Sequence, residues 1–219
     1  VTMNPSAADV TLASTGAFYD LTITAGARKV TLGSAVVVAR NLTITSGELD
    51  ASLASFQLTV GATWNRTGGI FTPRNGLVQL NGTGSIQNAE TFYDLTKLTA
   101  LTTTTLQADL VVTHDLTIAS GTLDGNGHSI TISRNWSNSS AFTAGLTGTV
   151  VFTSAGTVSQ VSGSTTFQNL SCTTPGKTIQ FTAGTTQTVS GSFVVTGVSG
   201  NLVSLLSATP GVQWTINNA

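Results

Sequence analysis

The phrase Phe92-Tyr93-Asp94-Leu95 occurs three times in recognisable form in this chain of 219 residues. An identical copy stands at Phe18-Tyr19-Asp20-Leu21, and a diverged copy stands at Phe167-Gln168-Asn169-Leu170. The three copies begin at Phe18, Phe92 and Phe167, so the spacing between them is almost constant. A fixed period of this kind is the sequence mark of an architecture in which similar units stack on one another.

The period divides the chain into a lead-in and three repeats, and we expect these to form a single elongated domain. The segment Leu42-Thr-Ile-Thr-Ser-Gly47 of the first repeat matches Leu116-Thr-Ile-Ala-Ser-Gly121 of the second. Apolar positions keep their register while turn residues vary, as stacking requires. The predicted bounds are 1–17 for the lead-in, 18–91 for repeat one, 92–166 for repeat two and 167–219 for the divergent repeat three.

Short segments with alternating or β-branched residues, closed by Gly, Asn or Asp, fill each repeat. Leu77-Val-Gln-Leu80 is typical, and no segment keeps apolar residues at helical spacing over the length of a helix. The fold class is therefore all-β. A unit of about 75 residues would supply three or four solenoid turns of roughly 20 to 25 residues each, which predicts a right-handed parallel β-helix. The alternative is a row of β-sandwich repeats, since strands spaced about 8 to 12 residues apart also suit that fold.

Charge is scarce and its two signs nearly balance, which argues against several classes of partner. Charged residues make up 8% of the chain, against about 25% in an ordinary soluble domain. The net charge is −1, and the Lys and Arg residues are scattered, so we expect no nucleic-acid partner. No apolar run approaches the roughly 18 residues of a membrane span, so we expect no membrane insertion.

Two patterns carry a resemblance to known families. The segment Leu123-Asp-Gly-Asn-Gly-His-Ser-Ile-Thr-Ile132 resembles the turn-and-strand phrase of pectate-lyase-like right-handed parallel β-helices. The wider series of Leu-Thr-Ile-x-Ser-Gly-x-Leu-Asp, a Trp-Asn or Trp-Ser, Gly-Thr-Val-x-Phe and Phe-Tyr-Asp-Leu resembles the tandem β-strand repeats of large bacterial surface and adhesin-like proteins. It covers about residues 18 to 216. The resemblance implies an exported, elongated and non-catalytic rod.

The best enzymatic candidate joins His114-Asp115 to the stretch Asp124-Gly-Asn-Gly-His128. Hydrolases and lyases built on β-helices use clustered carboxylates and basic residues, sometimes with Ca²⁺. Asp-Gly-Asn-Gly is also ordinary turn chemistry, because glycine allows a positive φ and Asp or Asn binds its own backbone. We therefore predict a structural turn here, and keep Asp124, Asn126 and His128 as candidates for a ligand-binding face.

Trp64 and Trp136 occupy matched positions in repeats one and two. On a flat sheet they would form a sugar-stacking face, and inside the coil they would be wedges of the core, which we favour.

Glu48 and Asp50, at strand spacing, are predicted to be a lone surface pair.

The Asp of the repeated Phe-Tyr-Asp-Leu phrase is predicted to have a structural role. Asp20 and Asp94 are replaced by Asn169 in the third copy, so this position requires a carbonyl acceptor for a backbone N–H more than an anion.

We expect a non-catalytic extracellular or cell-surface rod, such as a fibre, stalk or adhesin segment, without a cofactor. Residues 198 to 219 carry no charge, and an uncapped solenoid end invites another chain. We therefore expect continuation in a longer chain or end-to-end self-association, with a glycan or a neighbouring cell surface as a further partner. The alternative is a carbohydrate-binding or polysaccharide-cleaving β-helix.

Overall fold

The chain forms a β-solenoid of about ten turns, in a computed structural model that describes residues 1–218. The paired strands of this part of the chain all run parallel, and partners lie one turn apart, for example Leu21 with Leu42 and Leu110 with Ile130. Residues 1–218 contain no helix. Parallel pairing between successive turns rules out the β-sandwich alternative, because sandwiches are antiparallel. The all-β solenoid predicted from the repeat is confirmed.

Each turn places one strand on each of three faces. The first face consists of β1 (Thr2–Met3), the first part of β3 (Leu21–Leu32), the first part of β5 (Leu42–Asp50), β7 (Trp64–Arg66), β10 (Gly84–Ile86), β13 (Thr103–Leu106), β16 (Thr122–Asp124) and β19 (Ala141–Thr143). A separate three-stranded sheet follows in the last turns, with β22 (Thr165–Phe167), β25 (Thr186–Val189) and β28 (Thr215–Asn218).

The other two faces complete each turn. The second face carries β2 (Val10–Leu12), the second parts of β3 and β5, β8 (Ile70–Thr72), β11 (Glu90–Phe92), β14 (Leu110–Val112), β17 (Ile130–Ile132), β20 (Thr149–Phe152), β23 (Asn169–Cys172) and β26 (Phe193–Val195). The third carries β4 (Val36–Val38), β6 (Leu58–Val60), β9 (Leu77–Leu80), β12 (Asp94–Lys97), β15 (Leu116–Ile118), β18 (Trp136–Asn138), β21 (Val158–Ser162), β24 (Thr178–Phe181) and β27 (Ser204–Ser207).

The core is a single apolar column that runs along the coil. Strands alternate between buried and partly exposed residues, as in Leu110-Val111-Val112, where the outer two side chains are buried. Inward residues stack on their equivalents one turn away, so Leu110 lies beside Ile130 and Val112 beside Ile132. Burying apolar side chains contributes about 1.5–3 kcal/mol each, which makes this column the main source of stability.

The sequence repeat is out of phase with the turn. Leu95 of the second copy lies in β12 and Leu170 of the third lies in β23, a step of eleven strands, and the step from Leu21 in β3 to Leu95 is also eleven strand positions. Eleven is one strand short of four full turns. Leu21 therefore lies on the first face, Leu95 on the third and Leu170 on the second. The same phrase serves each face in succession.

Candidate functional site

Asp and Asn side chains at the entrances to strands form hydrogen bonds between turns. The Oδ1 atom of Asp20 accepts the backbone N–H of Asn41 at 3.1 Å, and Oδ1 of Asp94 accepts that of Asp115 at 3.0 Å. Oδ1 of Asn169 likewise accepts the N–H of Ser192 at 2.8 Å. The predicted need for a carbonyl acceptor at these three positions is confirmed.

The same bond is repeated by the residues that it positions. Asp115 Oδ1 accepts the N–H of Asn135 at 3.2 Å, and Asn135 Oδ1 accepts that of Gln160 at 2.9 Å. In repeat one, Asn41 Oδ1 accepts the N–H of Thr63 at 3.2 Å. We call these rows of acceptors the Asx ladder. Each rung binds an amide that the strand pairing leaves available at the corner, so it fixes where the next strand begins.

One stretch of the Asx ladder carries a cluster of titratable groups. We call it the His114 corner, and it consists of Tyr93, Asp94, His114, Asp115 and Arg134, between the second and third faces in successive turns. The His114 ring stacks on Tyr93 with centroids 4.5 Å apart and planes 10° apart. His114 Nδ1 lies 2.7 Å from Asp94 Oδ1 and 3.6 Å from Asp115 Oδ2. Its Nε2 contacts a guanidinium nitrogen of Arg134.

These contacts define the tautomer of His114. A guanidinium only donates hydrogen bonds, so Nε2 accepts from Arg134 and the proton lies on Nδ1, from which it is donated to Asp94. The imidazole is thus a neutral bridge between a carboxylate on one turn and a guanidinium two turns later. Asp94, His114 and Asp115 are all partly exposed, with 28%, 22% and 35% of their side-chain surfaces accessible.

The His114 corner opens into a groove because the corners lengthen along the coil. Only Tyr93 lies between β11 and β12, whereas three residues lie between β14 and β15 and five between β20 and β21. The longer corner forms one wall of a groove of about 710 Å³. Its lining combines Tyr93, His114 and Arg134 with hydroxyl and amide side chains such as those of Ser154 and Gln160.

The tryptophans considered for a ligand face lie in the core. Trp64 is 1% exposed and Trp136 is 0% exposed. The Trp64 Nε1–H donates to Glu90 Oε2 at 2.8 Å, and the Trp136 Nε1–H donates to Thr165 Oγ1 at 3.2 Å. Neither ring is accessible for stacking on a sugar, so the core interpretation applies to both.

Asp124 ends β16 on the first face, and Asn126 and His128 follow it on the corner that leads to β17 on the second face, a different corner from that of His114. Asp124 Oδ1 accepts the N–H of Asn126 at 3.0 Å, while Asn126, with φ of 48°, donates from Nδ2 to Leu106 O at 3.2 Å. His128 Nδ1 lies 3.8 Å from Asp109 Oδ1. The stretch is a turn, and the structure does not bring it together with His114-Asp115.

Glu48 and Asp50 were predicted to be a lone surface pair, and this is wrong for Asp50. Asp50 is buried and accepts two hydrogen bonds from Arg74, at 2.8 and 2.7 Å, with Lys29 Nζ 3.2 Å away. The guanidinium of Arg74 lowers the pKa of Asp50 from 3.8 to about 2. Sequence spacing gave no sign of these cations, because Lys29 and Arg74 come from neighbouring turns.

Two lysines that the sequence did not single out are buried. Lys177 Nζ donates to Ser133 O, Ser154 O and Thr157 O at 3.0 to 3.2 Å, so it links three successive turns. Lys97 Nζ donates to Gly82 O at 3.1 Å and to Thr102 Oγ1 at 2.5 Å. Burial lowers the pKa of both ammonium groups. Such cations tie corners together from the inside.

Comparison of the chain with protein-family models, with curated proteins and with solved structures finds no match in any of the three. Within residues 1–218, no helix is long and apolar enough to cross a membrane.

Proposed function

We propose that this chain is a segment of a non-catalytic structural or adhesive rod outside the cell, such as a fibre, stalk or adhesin segment. The observation that carries the proposal is the nature of what recurs. The matched positions of the repeats supply core side chains and Asx ladder rungs, as Leu21, Leu95 and Asp94 illustrate. A function that resides in the coil itself would preserve these features. The extracellular location rests on the resemblance to bacterial surface repeats.

The last turn supports association at the C-terminal end of the coil. β26, β27 and β28 are the terminal strands of their sheets, so the backbone groups on one side of each have no strand partner within residues 1–218. The inward residues Leu205 and Ile216 are only partly buried, whereas Ile179, one turn earlier, is 2% exposed. An apolar end with unpaired strands accepts further parallel turns. We propose that these come from a second copy or from a longer form of the same chain.

Sedimentation and electron microscopy of the purified chain test this proposal. We expect rods joined end to end in numbers that rise with protein concentration. Ile216→Lys places a charge on the end face and is expected to abolish the association. The matched control is Leu146→Lys, since Leu146 is 91% exposed on a corner and does not belong to that end. Uniform single rods at all concentrations, or association that survives Ile216→Lys, would contradict end-to-end assembly.

A carbohydrate ligand is the second candidate, and the groove of the His114 corner favours it. Hydroxyl, amide and guanidinium groups beside a Tyr–His stack are the chemistry that recognises a sugar bearing a carboxylate. On a glycan array, specific binding that disappears in Tyr93→Ala would replace the purely structural proposal with a lectin-like one. If the chain binds no glycan on the array, the structural rod remains the only function supported.

A further inference from the structure

Three potential metal-ligand side chains converge at the His114 corner. One ligand atom each from Asp94, His114 and Asp115 can be chosen so that all three lie within 4.8 Å of one another. We call these residues the donor triad. Two carboxylates and an imidazole are a mixed oxygen and nitrogen set, of the kind that binds first-row divalent metals.

The Asx ladder orients both carboxylates. Oδ1 of Asp94 is held by the N–H of Asp115, and Oδ1 of Asp115 is held by the N–H of Asn135. Neither hydrogen bond uses Oδ2, so one oxygen of each carboxylate is available for a ligand. The stack on Tyr93 fixes the plane of the imidazole in the same way. Ligands that are oriented by surrounding contacts lose little freedom when a metal binds.

Repeat one shows what this corner is without the triad. We call its equivalent the Arg40 corner, which consists of Tyr19, Asp20, Arg40 and Asn41. There Arg40 donates two hydrogen bonds to Asp20, and the backbone of the Asx ladder is the same. Repeat two has an imidazole in place of the guanidinium and a carboxylate in place of the amide. The first change replaces a cation with a metal ligand and the second adds a negative charge, while the ladder is unaffected.

We propose that the donor triad binds one first-row divalent transition metal ion, through an oxygen of Asp94, Nδ1 of His114 and Oδ2 of Asp115. Water completes the coordination, since the corner is partly exposed. For such ligands affinity rises from Mn²⁺ to Cu²⁺ and falls again at Zn²⁺, which still binds more tightly than Mn²⁺. The imidazole favours these ions over Ca²⁺ and Mg²⁺, which take oxygen ligands.

Binding requires a proton to change position on His114. Nδ1 coordinates only as a lone pair, so the neutral ring moves its proton from Nδ1 to Nε2, and no net proton is released. A protonated Nε2 cannot accept from Arg134, so this exposed side chain turns away into solvent. The guanidinium of Arg134 thus competes with the metal. Removing the guanidinium of Arg134 is therefore expected to raise the affinity for the metal, whereas losing a purely structural contact would lower it.

Calorimetric titration of the chelator-treated chain with Zn²⁺ and with Mn²⁺ tests the proposal, with Ca²⁺ and Mg²⁺ as comparison ions. We expect one Zn²⁺ per chain, weaker Mn²⁺, and a thermal transition that rises with Zn²⁺ because the ion binds only the folded state. The double variant His114→Arg, Asp115→Asn recreates the Arg40 corner and is expected to lose about tenfold or more in affinity. Arg134→Gln is expected to bind Zn²⁺ more tightly.

The matched control is His128→Ala, which removes the histidine of the other corner and should leave Zn²⁺ affinity unchanged. Circular dichroism confirms that each variant keeps the β-solenoid before titration. The proposal fails if wild-type chain binds no Zn²⁺ at millimolar concentration. It also fails if the double variant binds as wild type does, if His128→Ala abolishes binding, or if Arg134→Gln weakens it.

Discussion

The Arg40 corner and the His114 corner occupy the same place in two repeats and differ in their charge. In both, an Asp accepts the amide of the residue just before the strand one turn later, at 3.1 and 3.0 Å. In the first, a guanidinium neutralises that Asp and lies over Tyr19, 4.6 Å from the ring centroid. In the second, the imidazole of His114 replaces the guanidinium, and the carboxylate of Asp115 replaces the amide of Asn41. The hydrogen bond to the backbone amide is therefore the same in both corners. The side chain one turn later differs, and that difference sets the charge and the ligand atoms of the corner.

The tryptophan clusters show the same contrast inside the coil. Trp64 packs edge-on against Phe71 and Phe92, with centroids 4.8 and 5.0 Å away. Trp136 packs against Phe142 and Phe167 at 4.9 and 5.3 Å. The aromatic wedge is therefore preserved although Trp64 lies on the first face and Trp136 on the third. Only the acceptor of the indole N–H changes, from the Glu90 carboxylate to the Thr165 hydroxyl.

The largest expected effect comes from removing either wedge. Trp64→Ala and Trp136→Ala each delete a fully buried ring, and we expect each to lower the free energy of unfolding by about 3–5 kcal/mol. The two losses should be similar, because packing is what the repeats share. Urea unfolding followed by circular dichroism measures them. Tyr19→Ala, at a side chain 68% exposed, is the control and should cost less than about 0.5 kcal/mol. A loss below about 1 kcal/mol in either tryptophan variant would contradict the wedge interpretation.

The second largest effect is a difference between repeats one and two in how stability depends on pH. The pKa of Asp50 is about 2 in the folded chain because of Arg74, against an ordinary value of 3.8. A carboxyl with a lowered pKa stabilises the fold above its unfolded pKa, and this contribution is lost as the pH falls through the folded value. The shift corresponds to about 2 kcal/mol. Asp50→Asn should remove that amount near pH 7 and flatten the acid dependence between pH 4 and 2.

Asp124, the counterpart of Asp50 in repeat two, supplies the control. Its Oδ1 accepts bonds from Asn126 N and Thr143 Oγ1, both 3.0 Å, and has no cation partner among the ion pairs of residues 1–218. Asp124→Asn should therefore cost less than about 0.5 kcal/mol and leave the acid transition unchanged. Equal losses in the two variants would show that the Arg74 pair contributes nothing specific.

The fold could be predicted from the sequence because strand length, apolar alternation and the repeat of the Phe-Tyr-Asp-Leu phrase are all visible along the chain. The phase between repeat and turn could not, since it depends on how many residues each corner uses. Once the register that pairs Leu95 with Leu116 is known, Asp94 falls beside His114 and Asp115. Without that register, the sequence assigns Asp94 to backbone capping and His114-Asp115 to a different cluster. The carboxylate of Asp94 serves both the backbone hydrogen bond and the proposed metal site. Its Oδ1 accepts the amide of Asp115, so only Oδ2 is left for a metal ion.

The smallest expected effect separates those two roles. Asp94→Asn keeps a carbonyl oxygen for the amide of Asp115, as Asn169 does naturally for Ser192, so stability without metal should change by less than about 0.5 kcal/mol. Asp94→Ala leaves that amide without its acceptor and should cost about 1 kcal/mol. Both variants should lose the Zn²⁺-induced rise in the thermal transition, because neither has a carboxylate. If Asp94→Asn destabilises as much as Asp94→Ala, the charge and not the acceptor maintains this rung. If it retains the full response to Zn²⁺, Asp94 is not a ligand and the chemistry of the corner belongs to His114 and Asp115 alone.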